Sequence, residues 1–351
     1  MDIDELLQVA LMKHRDGDVD GAVTIYEQIL GHDAAHATAK LNLASLFFEK
    51  GDREAAARLL KQVLADDEDN GVAHLLYSRV CFLAGNHDAG YAHIRSAFEL
   101  IPDEEGIAAE FVSAMRRQYF TFDQDEYLRL FDAARDDELG PEQLQRLAHL
   151  TFLRIARPEL IKLIVEPGLP QDTPDAISRW LEQLPDGARS ELALLARNFG
   201  QALVLMYENE LYQPQPATLT LRNLPDEHGP ETLAVEMLED CDTLTGATLE
   251  LVTGGGMRFV PFASIASIEF DQPGAATGVF VTLRDGKVLS GLMPLFYLFT
   301  EFAESEKVRQ GQSTLIRPVL AEAAVGVGLR ALRADGKPLP IVRLEKIEFE
   351  T

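Results

Sequence analysis

The chain has little cysteine and no long apolar run, and each scarcity excludes a class of protein. Only Cys81 and Cys241 occur among 351 residues, without the short spacing of metal ligands, so neither a disulfide framework nor a zinc site is expected. No apolar stretch reaches the roughly 18 residues that a membrane span needs. The first residues, MDIDELLQ, lack the basic start and apolar stretch of a signal peptide. Together these features predict a cytoplasmic protein.

Positive charge is also scarce. The chain has 32 Lys and Arg against 57 Asp and Glu, a net charge of −25, and the acidic excess is spread along its whole length. A dispersed acidic surface repels phosphate backbones and anionic lipids. The composition therefore predicts no nucleic-acid partner and no membrane insertion, and it favours a protein partner with a basic or amphipathic segment.

The first hundred residues repeat with a period of 34. The pairs Gly17-Asp18, Gly51-Asp52 and Gly85-Asn86 recur at this interval, each followed five residues after its glycine by a small residue, namely Ala22, Ala56 and Gly90. Glycine permits the turn between two helices, and small residues let the helices approach closely. The period and the small residues match the tetratricopeptide repeat. We predict repeats at 3–36, 37–70 and 71–104 and a capping helix to residue 120, which gives a tetratricopeptide-repeat domain over 1–120.

The first helix of each repeat is expected to line a groove for a protein partner, because this helix faces the concave side of such solenoids. An apolar groove with an acidic rim suits an amphipathic helix. About half of these side chains are expected to pack against the neighbouring hairpin as well. The predicted groove residues are Leu7, Leu11, His14, Leu41, Ser45, Phe48, Leu75, Arg79 and Phe82.

The middle of the chain is helical but carries little information about function. Residues 121–212 contain helix-forming segments without a clear period, and we predict a helical extension there. Residues 213–230 hold four prolines and a polar cluster, and this composition indicates a linker.

The periodicity changes at about residue 231, and residues 231–351 are predicted to form a small, mostly antiparallel β-rich domain. Hairpin turns are indicated at Gly254–Gly256, Asp285-Gly286 and Asp335-Gly336. Residues 264–270 alternate like a half-buried strand, and residues 295–308 are predicted to be a helix. The fold class is therefore α+β: an all-α tetratricopeptide-type solenoid followed by this β-rich domain.

The stretch EDCDTLTGATLELVTGGGMRFVPFASIASIEFDQP at 239–273 resembles the signature of the ImpE family, also called TagJ. The match is carried by Asp242, Gly246, Leu249, Glu250, Val260-Pro261-Phe262, Ile265, Ile268 and Pro273. Residues 283–286, Met293-Pro294 and the end of the chain resemble the closing segments of the family. The resemblance implies an accessory protein of a bacterial type VI secretion system, whose partner would be a helix of the small subunit of the contractile sheath.

Two other interpretations stay open. The chain could be a general tetratricopeptide scaffold unrelated to secretion, or the C-terminal domain could house a ligand sensor or an enzyme. Against the second, Glu250, Arg258 and Glu269 alternate as solvent-facing strand residues would. We predict no catalytic residues, no cofactor and no metal. His32 and His36 have a helical spacing, but they span a repeat boundary and lack further ligands.

Overall fold

The computed structural model describes residues 2–135, 138–156, 160–162, 182–222, 231–273, 276–298, 300–303, 305–312, 314–318 and 324–350. The chain divides into two compact units, Met1–Ala114 and Met115–Thr351.

Six helices form three antiparallel hairpins in the first unit. Their bounds are α1 (Ile3–Arg15), α2 (Val19–His32), α3 (Ala37–Glu49), α4 (Arg53–Asp66), α5 (Gly71–Leu83) and α6 (His87–Leu100). A seventh helix, α7 (Ile107–Tyr119), contains the boundary between the two units. The three hairpins coincide with the three predicted repeats.

The recurring Gly-Asp or Gly-Asn pair stabilises the turn of each hairpin in two ways. Gly17, Gly51 and Gly85 all have a φ between +76° and +82°, a left-handed conformation that glycine adopts at low cost at the end of a helix. The next residue caps the second helix, as Asp52 does by accepting a hydrogen bond from the N–H of Ala55 at 3.0 Å. Asp18 and Asn86 cap α2 and α6 in the same way.

The second unit begins with the end of α7 and continues with α8 (Gln124–Arg135), α9 (Pro141–Ile155) and α10 (Asp186–Glu208). Helices α9 and α10 share an apolar core that includes Phe152, Ile155, Phe199 and Met206. The same core reaches Leu244, in the loop before β3. Packing thus attaches the helical part of this unit to its sheet.

A ten-stranded antiparallel sheet follows, in the order β11-β10-β2-β1-β12-β5-β6-β7-β3-β4. The strands are β1 (Gln215–Leu221), β2 (Glu231–Asp240), β3 (Thr248–Thr253), β4 (Gly256–Pro261), β5 (Ile265–Phe270), β6 (Ala276–Leu283), β7 (Val288–Pro294), β10 (Ala331–Ala334), β11 (Lys337–Pro340) and β12 (Leu344–Phe349). A separate pair consists of β8 (Thr314–Pro318) and β9 (Ala324–Gly328), and a short helix α11 spans Glu306–Arg309. These elements confirm the predicted α+β class.

The sheet consists of two similar halves that meet at β5 and β12. Ile268 lies opposite Ile347, and on either side Glu269 lies opposite Lys346 and Ser267 opposite Glu348. On each side of this centre lie two antiparallel strand pairs: β1–β2 and β10–β11 beyond β12, β6–β7 and β3–β4 beyond β5. The sequence repeats as well, since PFASIASIEF at 261–270 corresponds to PIVRLEKIEF at 340–349. By this pseudo-two-fold relation, β4 and β11 are equivalent edge strands.

Two sequence-based predictions are wrong in detail. The segment 213–230 was predicted to be a linker, but Gln215–Leu221 form β1, which pairs with both β2 and β12. Its apolar residues Ala217, Leu219 and Leu221 alternate into the core, and Pro216 lies near the start of the strand, where proline is tolerated. Residues 295–308 do not form one helix, because Phe296 bridges to Leu329 and, among the residues described from 295 onward, the α-helix begins only at Glu306.

Candidate functional site

The nine predicted groove residues lie at equivalent positions of α1, α3 and α5. Leu11 is 37 % exposed and is the most exposed of the nine, whereas Leu75 is only 7 % exposed. Leu7, Leu41 and Phe48 are half-buried and pack against the apolar clusters between successive hairpins. These side chains therefore share their surface between the solenoid core and the solvent. Their assignment to a partner-binding groove stays a prediction.

Polar members of the set are engaged in local pairs. The imidazole of His14 lies 3.7 Å from a carboxylate oxygen of Glu49, and the hydroxyl of Ser45 donates to the same carboxylate at 3.5 Å. The Nε of Arg79 donates to Glu110 at 3.0 Å. Two acidic side chains, Glu49 and Glu110, thus lie beside polar members of the set.

Phe82 occupies a close contact inside the third repeat. Its ring lies edge-on to Tyr91, with 5.2 Å between the ring centroids, and fills the space where a side chain at Gly90 would stand. The small residue at this point of the repeat is required by the approach of the ring. Phe82 is thereby fixed by packing rather than free to adapt to a partner.

The second unit contains a buried cluster of charges that sequence reasoning missed. Arg330 is 2 % exposed and Glu250 is 1 % exposed, and their side chains form an ion pair. Arg116 lies 2.7 Å from the other carboxylate oxygen of Glu250, and Asp240 lies 3.5 Å from Arg330. The expectation that Glu250 faces solvent is therefore wrong, because this part of the sheet is covered on both faces. Arg258 and Glu269 are exposed as expected.

Electrostatics distinguishes the carboxylates of this cluster. Burial alone would raise the pKa of Glu250, but Arg116 and Arg330 outweigh burial and hold it below its usual range. Burial raises the pKa of Asp240 to about 6 although Arg330 opposes the shift. Burial, together with the nearby Asp240, raises the pKa of Asp242 to about 7. Glu250 is therefore the permanently charged centre of the cluster.

The cluster holds the fold together rather than facing a ligand. The cavity beside Asp240 and Arg330 has a volume of about 10 Å³, which is room for one water at most. Arg116 also donates to the carbonyl of Phe296 at 2.9 Å, and the hydroxyl of Tyr297 lies 3.0 Å from Asp240. The cluster thus ties α7 to the sheet and to the segment that follows β7. A larger cleft of this unit lies between α8, α9 and β4, and the two carboxylates with raised pKa, Asp240 and Asp242, do not line it.

His36, one of the two histidines considered as metal ligands, serves a structural role. His36 caps α3, where its Nδ1 accepts from the N–H of Ala39 at 3.3 Å. Within the described ranges, no three His, Cys, Asp or Glu side chains come together as metal ligands. None of the helices in the same ranges is long and apolar enough to cross a membrane.

Comparison with protein families gives three matches. Residues 233–348 match the ImpE protein family, and residues 14–57 and 47–109 match two tetratricopeptide-repeat families. These matches confirm both the resemblance to ImpE and the tetratricopeptide repeats. A search of curated proteins returns no match.

Solved structures show distant similarity. Protein VPA1032 from Vibrio parahaemolyticus is 14 % identical with a TM-score of 0.43, over 88 % of this chain and 97 % of that one. The first tetratricopeptide domain of Spaghetti (RPAP3), solved with an HSP90 peptide, is 16 % identical with a TM-score of 0.31, over 33 % and 92 % of the two chains. An O-GlcNAc transferase mutant from Thermobaculum terrenum is 25 % identical with a TM-score of 0.32, over 38 % and 26 %.

Proposed function

Because the chain carries an ImpE domain behind tetratricopeptide repeats, we propose that it is a non-catalytic, cytoplasmic adaptor of a bacterial type VI secretion system. Its partner in this proposal is a helix of the small subunit of the contractile sheath. The helix lies in the groove formed by α1, α3 and α5.

The observation that carries the proposal is the mixed character of the groove. Leu7, Leu41 and Phe48 are anchored in the solenoid core yet keep part of their surface outside it. Leu11 adds exposed apolar surface. Anchored apolar side chains offer a partner a contact surface at a low cost in conformational entropy. An amphipathic helix inserts its apolar stripe into such a groove.

The acidic charge around the groove favours a partner helix that carries basic residues beside its apolar stripe. Glu49 and Glu110 lie beside the groove positions and are each paired with a groove residue, His14 and Arg79. The whole chain is strongly acidic, so a helix with lysine or arginine beside its apolar stripe is attracted over a longer range.

The test is calorimetric titration of the full chain with the N-terminal helical peptide of the small sheath subunit from the same genome. We expect micromolar or tighter binding. The substitution Leu11→Ala should weaken binding roughly five- to thirty-fold, since a residue at the centre of an interface contributes about 1–2 kcal/mol. The pair Leu41→Ala and Phe48→Ala should weaken it further.

The matched control is Leu100→Ala. Leu100 is 38 % exposed, almost the same as Leu11, but it belongs to α6, the second helix of its repeat. This variant should bind like the wild type. Equal loss of binding in both variants, or no loss in either, would contradict the assignment of these residues to the binding groove. The adaptor proposal would then be judged by the titration of the wild-type protein alone.

A further inference from the structure

The two equivalent edge strands of the sheet, β11 and β4, differ in whether they can pair with a further strand. In the β10–β11 hairpin, Ile341 donates to the carbonyl of Arg330, and Leu332 lies opposite Leu339. Because antiparallel partners alternate between hydrogen-bonded and non-bonded pairs, the backbone groups of Pro338 and Pro340 point away from β10. Proline has no N–H to offer there. The edge at β11 is therefore closed to pairing with a further strand.

The edge at β4 is open by the same criterion. Phe262 donates to the carbonyl of Ala247, and Leu251 lies opposite Arg258. The same alternation directs the N–H groups of Met257 and Phe259 away from β3. Among the described residues β4 pairs only with β3, and none of them bonds these two N–H groups. The chain thus keeps an outward donor at Phe259, where the equivalent residue of β11 is Pro338, and a second outward donor at Met257. Both strands end on a proline, Pro261 and Pro340.

A cleft lies along this open edge. Its volume is about 440 Å³, and one wall is Met257, Arg258 and Phe259 of β4. The opposite walls come from α8, α9 and the end of α7, and are formed by Tyr119, Glu126, Arg129, Leu130, Glu142, Gln143, Gln145 and Arg146. This volume falls within the usual range of ligand sites. It accommodates a few residues of extended peptide beside β4.

The charge of the cleft differs from that of the chain. Three arginines and two glutamates line it, whereas the whole chain has a net charge of −25. Arg146 is neutralised by Glu126, which accepts from its Nε at 3.1 Å, and its guanidinium stacks on Tyr119 at 4.5 Å from the ring centroid. Arg129 and Arg258 form no ion pair within the described residues. Glu142 is the one lining carboxylate without such a partner there.

Supporting contacts keep the far wall in place. Gln145 is 2 % exposed, and its amide donates to the carbonyl of Leu244 at 3.2 Å and to the hydroxyl of Thr248 at 3.2 Å. These bonds tie α9 to the residues that lead into β3. The cleft is therefore formed by rigid elements that are bonded to each other, which favours a defined site.

We propose that the open edge of β4 binds an extended, acidic segment of a partner protein as an additional strand, with Arg129 and Arg258 meeting its carboxylates. Backbone hydrogen bonds to Met257 and Phe259 supply the pairing, as in other sites of strand addition. The two arginines supply the preference for acidic side chains. This site is independent of the helical groove of the repeats, and so of the function proposed for it.

The test passes a library of hexapeptides over the immobilised full chain. The library has Glu at alternate positions and Val, Leu, Phe or Tyr at the others, and a second library has Lys in place of Glu. We expect selective retention of Glu peptides, and slower hydrogen exchange of the Met257 and Phe259 amides when a retained peptide is added. Failure to retain any Glu peptide above the Lys library would overturn the proposal.

Two variants locate the binding. Met257→Pro removes one outward donor without removing a bond to β3, since Met257 and Val252 form a non-hydrogen-bonded pair, and it should weaken binding of a retained peptide at least ten-fold. The pair Arg129→Gln and Arg258→Gln should weaken it roughly five- to ten-fold and reduce the selectivity for Glu. Thermal unfolding of each variant checks that the fold is kept. If a retained peptide binds both variants as tightly as it binds the wild type, it occupies another site and the proposal is wrong.

Discussion

Arg330 connects two carboxylates in the interior of the sheet domain, and its loss would leave both without their shared partner. Glu250 would keep Arg116, but Asp240 would lose its cation. Removing one member of a buried ion pair typically costs about 3–5 kcal/mol, because an uncompensated charge stays buried. We therefore expect Arg330→Met to lower the free energy of unfolding by about that amount, measured by urea denaturation.

A matched control lies three residues further along the chain. Arg333 pairs with Glu239 at 3.0 Å, but the two side chains are 39 % and 20 % exposed. Water screens such a pair, so Arg333→Met should cost only about 0–1 kcal/mol. Similar losses in the two variants would show that burial does not set the strength of the Arg330 contacts.

His149 is a second residue whose burial has a measurable consequence. Its Nε2 lies 2.7 Å from the carbonyl of Leu244, which can only accept, so this nitrogen carries the proton. Its Nδ1 then accepts from the hydroxyl of Tyr119 at 3.1 Å. Both ring nitrogens are thus satisfied in the neutral form, and burial lowers the pKa of His149 to about 4.

This lowered pKa makes stability depend on pH in a stated direction. Between pH 6.5 and 4 the unfolded chain gains a proton at His149 while the folded chain does not, so acid favours unfolding. We expect the free energy of unfolding to fall less between pH 7 and 4.5 in His149→Gln than in the wild type, by an amount of order 1 kcal/mol. Identical pH slopes in urea denaturation would contradict the assignment of a neutral, buried ring.

At the scale of secondary-structure elements, the approach of α5 and α6 depends on Gly90. A Cβ atom there would lie 2.6 Å from the ring of Phe82. Overpacking of this kind costs about 1–3 kcal/mol, more than the gain in helix propensity from Gly to Ala. We expect Gly90→Ala to lower the melting temperature.

Gly31 in α2 provides the opposite case. Nothing lies within 4 Å of a Cβ built at this position, so Gly31→Ala should raise stability by roughly 0.5–1 kcal/mol through the loss of backbone freedom in the unfolded chain. Melting temperatures that shift in the same direction for both variants would contradict the packing argument.

The elements differ in how far the sequence could predict them. The turns at Gly17-Asp18, Gly51-Asp52 and Gly85-Asn86 were predictable, because a left-handed glycine followed by a capping Asp or Asn is a local requirement that recurs in every repeat. Strand β1 was missed because Pro214 and Pro216 suggested a linker, while the alternation of Ala217, Leu219 and Leu221 was the correct signal. The two similar halves of the sheet were also missed, although Ile268-Glu269-Phe270 and Ile347-Glu348-Phe349 recur after a matching proline.

At the scale of the whole molecule, the charged interior of the sheet domain could not be deduced from alternation alone. Alternation distinguishes the two faces of a strand but does not say what covers each face. Glu250 lies on a face covered by Arg116 of α7, more than a hundred residues earlier in the chain. Ion pairs between residues this far apart in the chain depend on the tertiary fold. The residues next to Glu250 in the sequence show only that its surroundings are apolar or acidic.

The acidic charge of the whole chain leads to a prediction about binding kinetics. A net charge of −25 attracts a basic helix over distances that salt shortens, since the screening length falls from roughly 10 Å at 0.1 M to about 3 Å at 1 M salt. The apolar contacts that we propose for Leu7, Leu11 and Phe48 would not be weakened by salt. We therefore expect the association rate of the proposed sheath helix to fall several-fold as salt rises from about 0.05 to 0.5 M, while its dissociation rate changes less than about two-fold. Stopped-flow fluorescence of a labelled peptide measures both rates. A dissociation rate that carries most of the salt dependence would instead mean that ion pairs, rather than the apolar groove, hold the bound helix.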